Sequence, residues 1–380
     1  MPVRILWLSN APHAPSGYGR QTRIWAKKLR ELGHDVAVVA FHGLQSSVLV
    51  HEGTVVYPGG DDQWAQDILP GHYQHHRADL LITLMDAWVL DGQRLKRGGM
   101  RFAHWMPVDC DPLGTMDTRV LDEGEGQPIA MSRFGERVLS EAGYSPLYVP
   151  HGIDAQGTFE PLKDREEWRK KLGFSSRFVI GVHGANMDPL RKGFAEMFAA
   201  FALFRKKHPD ALLVVHSRPR SAQGTDLVTL AQRLGITDAV KIGDEYSIVA
   251  GIVPDTEIAR WLGVCDVLMN CSYGEGFGLA VLEAQACGTP VITTDFSAMS
   301  ELTGAGWKVQ VDPTELFWNR GHSSWWARPS VRRIAACLEK AYAQAPGLRQ
   351  KARDFALGYD ADRVLTEFWK PALESLEDAR

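Results

Sequence analysis

The chain has 380 residues, of which 45% are hydrophobic and 23% charged, with a formal net charge of −4. That length exceeds what one hydrophobic core usually serves and predicts two domains. That charge makes no case for a generic nucleic-acid binder, while leaving room for a local basic patch. Apolar runs reach only strand length, far below the roughly 20 residues of a bilayer-crossing helix.

Met1-Pro2-Val3-Arg4 leads directly into a strand-like run, unlike a signal peptide. In chain order the first series of apolar runs is VRILWLS, DVAVVAF, DLLITLM, RFAHWM, PIAMS and PLYVP. Continuous runs without strict alternation suit parallel strands covered on both faces. Between the first two lies YGRQTRIWAKKLRELGH, where Ile24, Ala26, Leu29 and Leu32 trace a helical stripe and Gly33 stops it. This is a βαβ unit. HGIDAQGTFEPLKD, residues 151–164, carries turn residues without a period and reads as a linker.

A second series follows: FVIGVHG, ALLVVHS, AVKIG, DVLMNCS, PVITTD and WKVQV, separated by helical segments such as GFAEMFAAFALFRKKH. The fold class is therefore α/β, with two doubly wound Rossmann-like domains expected to face each other. Ligands are expected at strand carboxyl ends in the cleft between them. The predicted ranges are 1–153, 154–358 and an amphipathic tail, 359–380, that could pack back on the first domain. Cys110, Cys265, Cys271, Cys287 and Cys337 form no CxxC pair and read as buried thiols of a soluble, cytoplasmic protein.

The chemistry concentrates in SYGEGFGLAVLEAQACGTPVITTD, residues 272–295. Its glycines permit positive φ and close backbone approach to a ligand. The helix starting near Gly278 presents free N–H groups and a positive dipole end, suited to a phosphate or developing oxyanion. Glu275, just ahead of it, can accept from two neighbouring sugar hydroxyls. Glu283 lies on an otherwise small, apolar helix and is expected to face inward toward a second diol, as a ribose would supply.

The pattern ExGFGLxxLEAxAxGxPVIxT resembles the EX7E signature of retaining glycosyltransferases of the GT-B fold, particularly family four. SGYGR after the first strand, VPHGID at the junction, RKGF opening a helix and CDVLMNCS before the motif occupy matching places. The resemblance implies that Glu275 binds donor-sugar hydroxyls and Glu283 the ribose. It gives the amides of Gly276, Phe277, Gly278 and Leu279 to sugar and diphosphate, and makes Arg191 and Lys192 the cationic diphosphate clamp. Such a clamp lowers the barrier by meeting charge on the leaving diphosphate. The sequence departs from the family at Gly184-Ala185-Asn186, where an arginine is common; Arg191 is expected to substitute.

On the N-terminal side, Gly17 and Gly19 open the first helix, so their amides could meet a donor phosphate or an acceptor group. A dinucleotide-binding reading fails, because GYGRQT lacks the third glycine of GxGxxG. The resemblance places a His or Asp from RFAHWMPVDCDP near the sugar, here His104 or Asp109; His104 reads equally as a core histidine. Asp109-Cys110-Asp111 is formally a DxD but reads as a turn between Pro107 and Pro112, and HYQHH as a solvated helix end, so no metal is expected. Ser132 is placed to cap the following helix. Trp318, Trp325 and Trp326 could stack sugars, cover an interface or pack a core.

The resulting expectation is a retaining glycosyltransferase that moves a sugar from a nucleotide-diphosphate sugar, as co-substrate without further cofactor, to an acceptor hydroxyl. The acceptor could be a glycan, lipid, protein or modified nucleic acid, and no pattern specifies an oligomeric state. The rivals are a nucleotide-sugar 2-epimerase of the same fold and a non-catalytic sugar-nucleotide binder.

Overall fold

A computed structural model describes residues 2–378; Met1 and residues 379–380, the outer ends of two predicted ranges, lie outside the described residues. The chain divides into two compact units. One comprises Met1–Gly152, Arg320–Ser324 and Ala361–Arg380, the other Ile153–Asn319 and Trp325–Asp360.

The first unit is built on β1 (Arg4–Asn10), β2 (Asp35–His42), β3 (Leu49–His51), β4 (Thr54–Tyr57), β5 (Leu80–Leu84), β6 (Phe102–Met106), β7 (Gln127–Ala130) and β8 (Leu147–Tyr148). Their order is β3-β4-β2-β1-β5-β6-β7-β8. Every pairing is parallel except β3 with β4. β5 and β6 are buried at every residue, as their unbroken apolar runs require.

The helix Gly17–Glu31 buries Thr22, Trp25, Ala26 and Leu29. The expected stripe is thereby corrected at its ends: Ile24 is half-buried and Leu32 exposed. Ala26 and Leu29 keep the expected face, Thr22 and Trp25 extend it toward the N-terminus beside Ile24, and Leu32 lies past the helix end as its C-cap. Trp25, Trp7, Trp105 and Trp369 form one cluster, all fully buried, with neighbouring ring centroids 5.0–6.2 Å apart. Trp369 comes from the chain's tail, so the tail completes the aromatic core of this unit. Trp25 Nε1 donates to Gln21 Oε1 (2.8 Å) and Trp105 Nε1 to Val149 O (2.7 Å), which satisfies two of the buried indoles.

The HYQHH segment ends the helix Leu69–His76, but it is less solvated than expected. His72 stacks on Tyr57 at 4.8 Å and faces Pro58 O at 3.1 Å, because β4 delivers the tyrosine ring beneath it.

The second unit holds β9 (Phe178–His183), β10 (Ala211–His216), β11 (Val240–Ile242), β12 (Val267–Asn270), β13 (Val291–Thr294) and β14 (Gly306–Val309). The order is β11-β10-β9-β12-β13-β14, parallel throughout. A separate two-stranded sheet pairs β15 (Leu316–Asn319) with β16 (Ser324–Ala327). Its Trp326 is buried, whereas Trp318 and Trp325 are exposed and pack edge to face, centroids 4.9 Å apart. All five cysteines are free and buried.

Candidate functional site

In the second unit the strand order reverses direction between β9 and β12: the chain runs outward to β10 and β11 on one side, and to β13 and β14 on the other. Loops leaving the carboxyl ends of these two neighbours diverge, and the crevice they leave is where doubly wound sheets bind ligands. The loop after β9 carries Arg191 and Lys192. The loop after β12 carries Glu275.

These three side chains meet. Arg191 Nη1 lies 3.0 Å from Glu275 Oε2, and Lys192 Nζ 2.5 Å from Glu275 Oε1. Tyr273 N also donates to Arg191 O at 2.7 Å, which ties the two loops by their backbones. The close approach depends on Gly193 (φ +62), where a Cβ would come within 2.2 Å of Cys271 O.

Glu275 is 7% exposed. Burial pushes its carboxyl up, but the Lys192 and Arg191 charges, with bonds from Lys192 and Ser272, outweigh burial and hold it at about 2. Ser272 Oγ lies 2.8 Å from Glu275 Oε1, and Glu275 N donates to Ser297 Oγ at 3.0 Å. Ser272 and Ser297 escaped the sequence reading. Neither falls in a recognisable spacing, and Ser297 earns its place through an unusual backbone (φ +55) that only the fold reveals.

Beyond Glu275, Gly276 and Phe277 are buried, and Phe277 packs on Tyr359 (6.1 Å). Gly278 takes φ +114 and precedes the helix Leu279–Ala286. The left-handed turn at Gly278 thus aims that helix's N-terminus at the same carboxyl-end crevice. Glu283, in the second turn, faces inward and is fully buried.

In the Gly184-Ala185-Asn186 stretch after β9, Asn186 is fully buried. Its Nδ2 donates to Arg218 O (3.0 Å) and Thr225 O (2.7 Å), and its Oδ1 accepts from Thr225 N (2.8 Å). Asn186 therefore cross-links two loops, a different task from carrying a cation.

In the first unit, two expected assignments change. His104 sits at the centre of β6, 1% exposed, with Nδ1 2.7 Å from Thr83 Oγ1. Burial lowers its pKa to about 4, so it is a neutral core histidine. Asp109, beyond the carboxyl end of β6, is the half-buried residue of the pair. The Gly19 N–H donates to Ser16 Oγ (3.0 Å), and Ser16 Oγ also accepts from Asn10 Nδ2 (2.6 Å). That amide is engaged in capping, while Gly17 is exposed at the first turn. Ser132 Oγ accepts from Gly135 N (3.0 Å), as a helix cap.

Asp111 pairs with Arg137 (2.7 Å). Asp117 is pushed up to about 7, by burial first and then by the Asp109 and Asp86 carboxylates, against a backbone bond from Trp88. Among the described residues no group of three or more His, Cys, Asp or Glu is arranged to hold a metal ion.

Residues 177–319, which contain Arg191, Lys192, Glu275 and Glu283, match the family model of glycosyl transferases group 1. A D-inositol 3-phosphate glycosyltransferase of Segniliparus rotundus is 32% identical over 182 residues, 44% of this chain and 38% of that protein. The lipopolysaccharide core biosynthesis mannosyltransferase LpsB of Rhizobium meliloti is 28% identical over 252 residues, 60% of this chain and 64% of that protein. The match to these two curated relatives thus spans between about a third and two thirds of their length. Among solved structures, sucrose-phosphate synthase of Thermosynechococcus elongatus gives a TM-score of 0.77 at 16% identity, covering 99% of this chain and 100% of that one. Anabaena HepE in complex with UDP-glucose gives 0.72 at 17%, covering 98% and 100%. The fold is the GT-B fold. No described helix is long and apolar enough to cross a membrane.

Proposed function

We propose that the chain is a retaining glycosyltransferase that moves a sugar from a nucleotide-diphosphate sugar to an acceptor hydroxyl. The supporting observation is the convergence of Arg191, Lys192 and Glu275 beside the N-terminus of the helix Leu279–Ala286, within the segment that matches the glycosyl transferases group 1 model. In this reading Arg191, Lys192 and the helix N-terminus meet the diphosphate, and no metal is required. Glu275 receives the sugar hydroxyls and holds the two cations in place. The anomeric C–O bond to the diphosphate breaks and the acceptor oxygen bonds to the same carbon on the same face. The acceptor proton passes to the leaving diphosphate.

Glu283 is assigned to the ribose. Because it is fully buried, that contact requires the groups covering it to move. Glu283→Ala then weakens binding of both nucleotide sugar and nucleoside diphosphate, by roughly 1.5–3 kcal/mol for a bond to a charged acceptor. The five buried thiols fit a reducing cytoplasm.

The test is a thermal-shift screen of nucleotide sugars followed by product analysis with the best donor. Transfer, or hydrolysis, with retained anomeric configuration is expected. An epimerised sugar would identify the rival enzyme, and stabilisation without turnover would identify a binder.

A further inference from the structure

The first unit contains a cavity of about 550 Å³ lined by the ends of β1 and β2 and by the segment after β4. These are carboxyl ends of neighbouring parallel strands, the edge on which such sheets bind ligands. The edge is locally remodelled: Ser9 pairs with Ala40 but Asn10 with His42, so β2 carries one extra residue, Phe41. Bulges of this kind re-aim side chains, and Phe41 lines the cavity. Its ring meets Trp64 edge to face at 5.3 Å, which forms an aromatic corner.

Leu44, Gly59 and Gly60 add small apolar surface and His42 an imidazole, while the only fully charged side chains in the lining are acidic. Asn10, Gln45 and Gln63 bring amides, and Asp61 and Asp62 bring carboxylates. Asp62 is held by Trp64 N (2.7 Å) and faces Arg94 Nη1 at 3.4 Å, which offsets its charge. Asp61 is exposed, and its backbone N–H donates to Asp67 Oδ2 at 2.8 Å, which fixes the loop. No lysine or arginine lines the cavity, and neither do the helix-opening residues Ser16–Gly19.

Carboxylates and amides that accept and donate to hydroxyls, beside an aromatic face for C–H groups, suit a sugar ring or cyclitol. A phosphate needs the opposite: guanidinium, ammonium or helix N–H groups. We propose that this cavity is the acceptor site and that it selects a polyol without phosphate, either neutral or amine-bearing. The acceptor role rests on the glycosyltransferase reading above. The selectivity rests on the lining alone. It separates this chain from a preference for D-inositol 3-phosphate, the compound in the name of several relatives.

The experiment titrates the full chain with matched pairs, myo-inositol against its 3-phosphate and glucose against glucose 6-phosphate, together with glucosamine, by ligand-observed NMR. In at least one pair the unphosphorylated member binds about tenfold more tightly, equivalent to roughly 1.4 kcal/mol. Asp61→Lys removes or inverts that preference, Asp61→Asn reduces it, and Trp64→Ala weakens both members alike. Equal or tighter binding of the phosphates by the wild type, no binding of any probe, or a preference that Asp61→Lys leaves unchanged would overturn the inference. Nucleoside diphosphate release from the donor is measured separately. Release without polyol selectivity sinks this inference alone; selectivity without release from any donor sinks the catalytic reading and the acceptor role with it, and leaves only the polyol site.

Discussion

Glu275 Oε1 lies 2.5 Å from Lys192 Nζ, while Glu275 Oε2 faces Arg191 at 3.0 Å, so one buried carboxylate is shared by two cations from the neighbouring strand's loop. The consequence is both structural and functional. Removing the carboxylate charge takes away the anion that both partly buried cations face, which costs about 3 kcal/mol at neutral pH. The folded-state pKa is depressed to about 2 from an ordinary value of 4.5, so this stabilisation is complete above that value and is lost as pH falls toward 2. Urea unfolding of Glu275→Gln and wild type is expected to differ most at pH 7 and to converge near pH 2.

The same geometry separates binding from catalysis. With Glu275 neutralised, Arg191 and Lys192 remain to meet a diphosphate. Glu275→Gln is therefore expected to retain or tighten nucleoside diphosphate binding while donor turnover falls. Calorimetry with the diphosphate, beside kinetics with the nucleotide sugar, checks both halves.

Lys192→Ala is expected to lower kcat more than it raises KM, because charge on the leaving diphosphate grows as the bond breaks. A change confined to KM would make Lys192 a ground-state anchor.

Asp117 works in the other direction. Its pKa is raised to about 7 from 3.8, so its ionisation penalises the folded state, and stability is lost as pH climbs between those values. Asp117→Asn keeps an acceptor for Trp88 and removes the charge. It is expected to stabilise the protein at pH 8 by up to roughly 4 kcal/mol, and progressively less toward pH 4. Denaturant midpoints of both proteins across that range test the sign.

Trp369 carries the tail's contribution to the first unit. Trp369→Ala opens a cavity among Trp7, Trp25 and Trp105, at a cost of about 3–5 kcal/mol. A Tm lower by on the order of 10 °C is expected by calorimetry.

Much of this architecture was legible in the sequence because parallel strands buried on both faces leave unbroken apolar runs, and each of the runs picked out coincides with a strand. β15 and β16, of 4 residues each, were missed, and so were β3 and β4. The latter two are only 3 and 4 residues long, and they turn through Glu52 and Gly53, both at positive φ, without the Asn-Gly or Asp-Gly pair that announces such hairpins. At the site, Glu275 and the inward-facing Glu283 were readable from glycine spacing and helix composition. Their partners were not: that Arg191 and Lys192 grip Glu275 across 84 and 83 residues of sequence is a product of tertiary placement.

The most direct test of the catalytic account is nucleoside diphosphate release from a panel of nucleotide sugars, in EDTA, with the anomeric configuration of the product determined by NMR. Release from at least one donor, with the configuration retained and the rate sharply reduced by Lys192→Ala, is the predicted result. A folded wild-type chain that releases diphosphate from no donor above solvent background, or only after a divalent metal is restored, would contradict it.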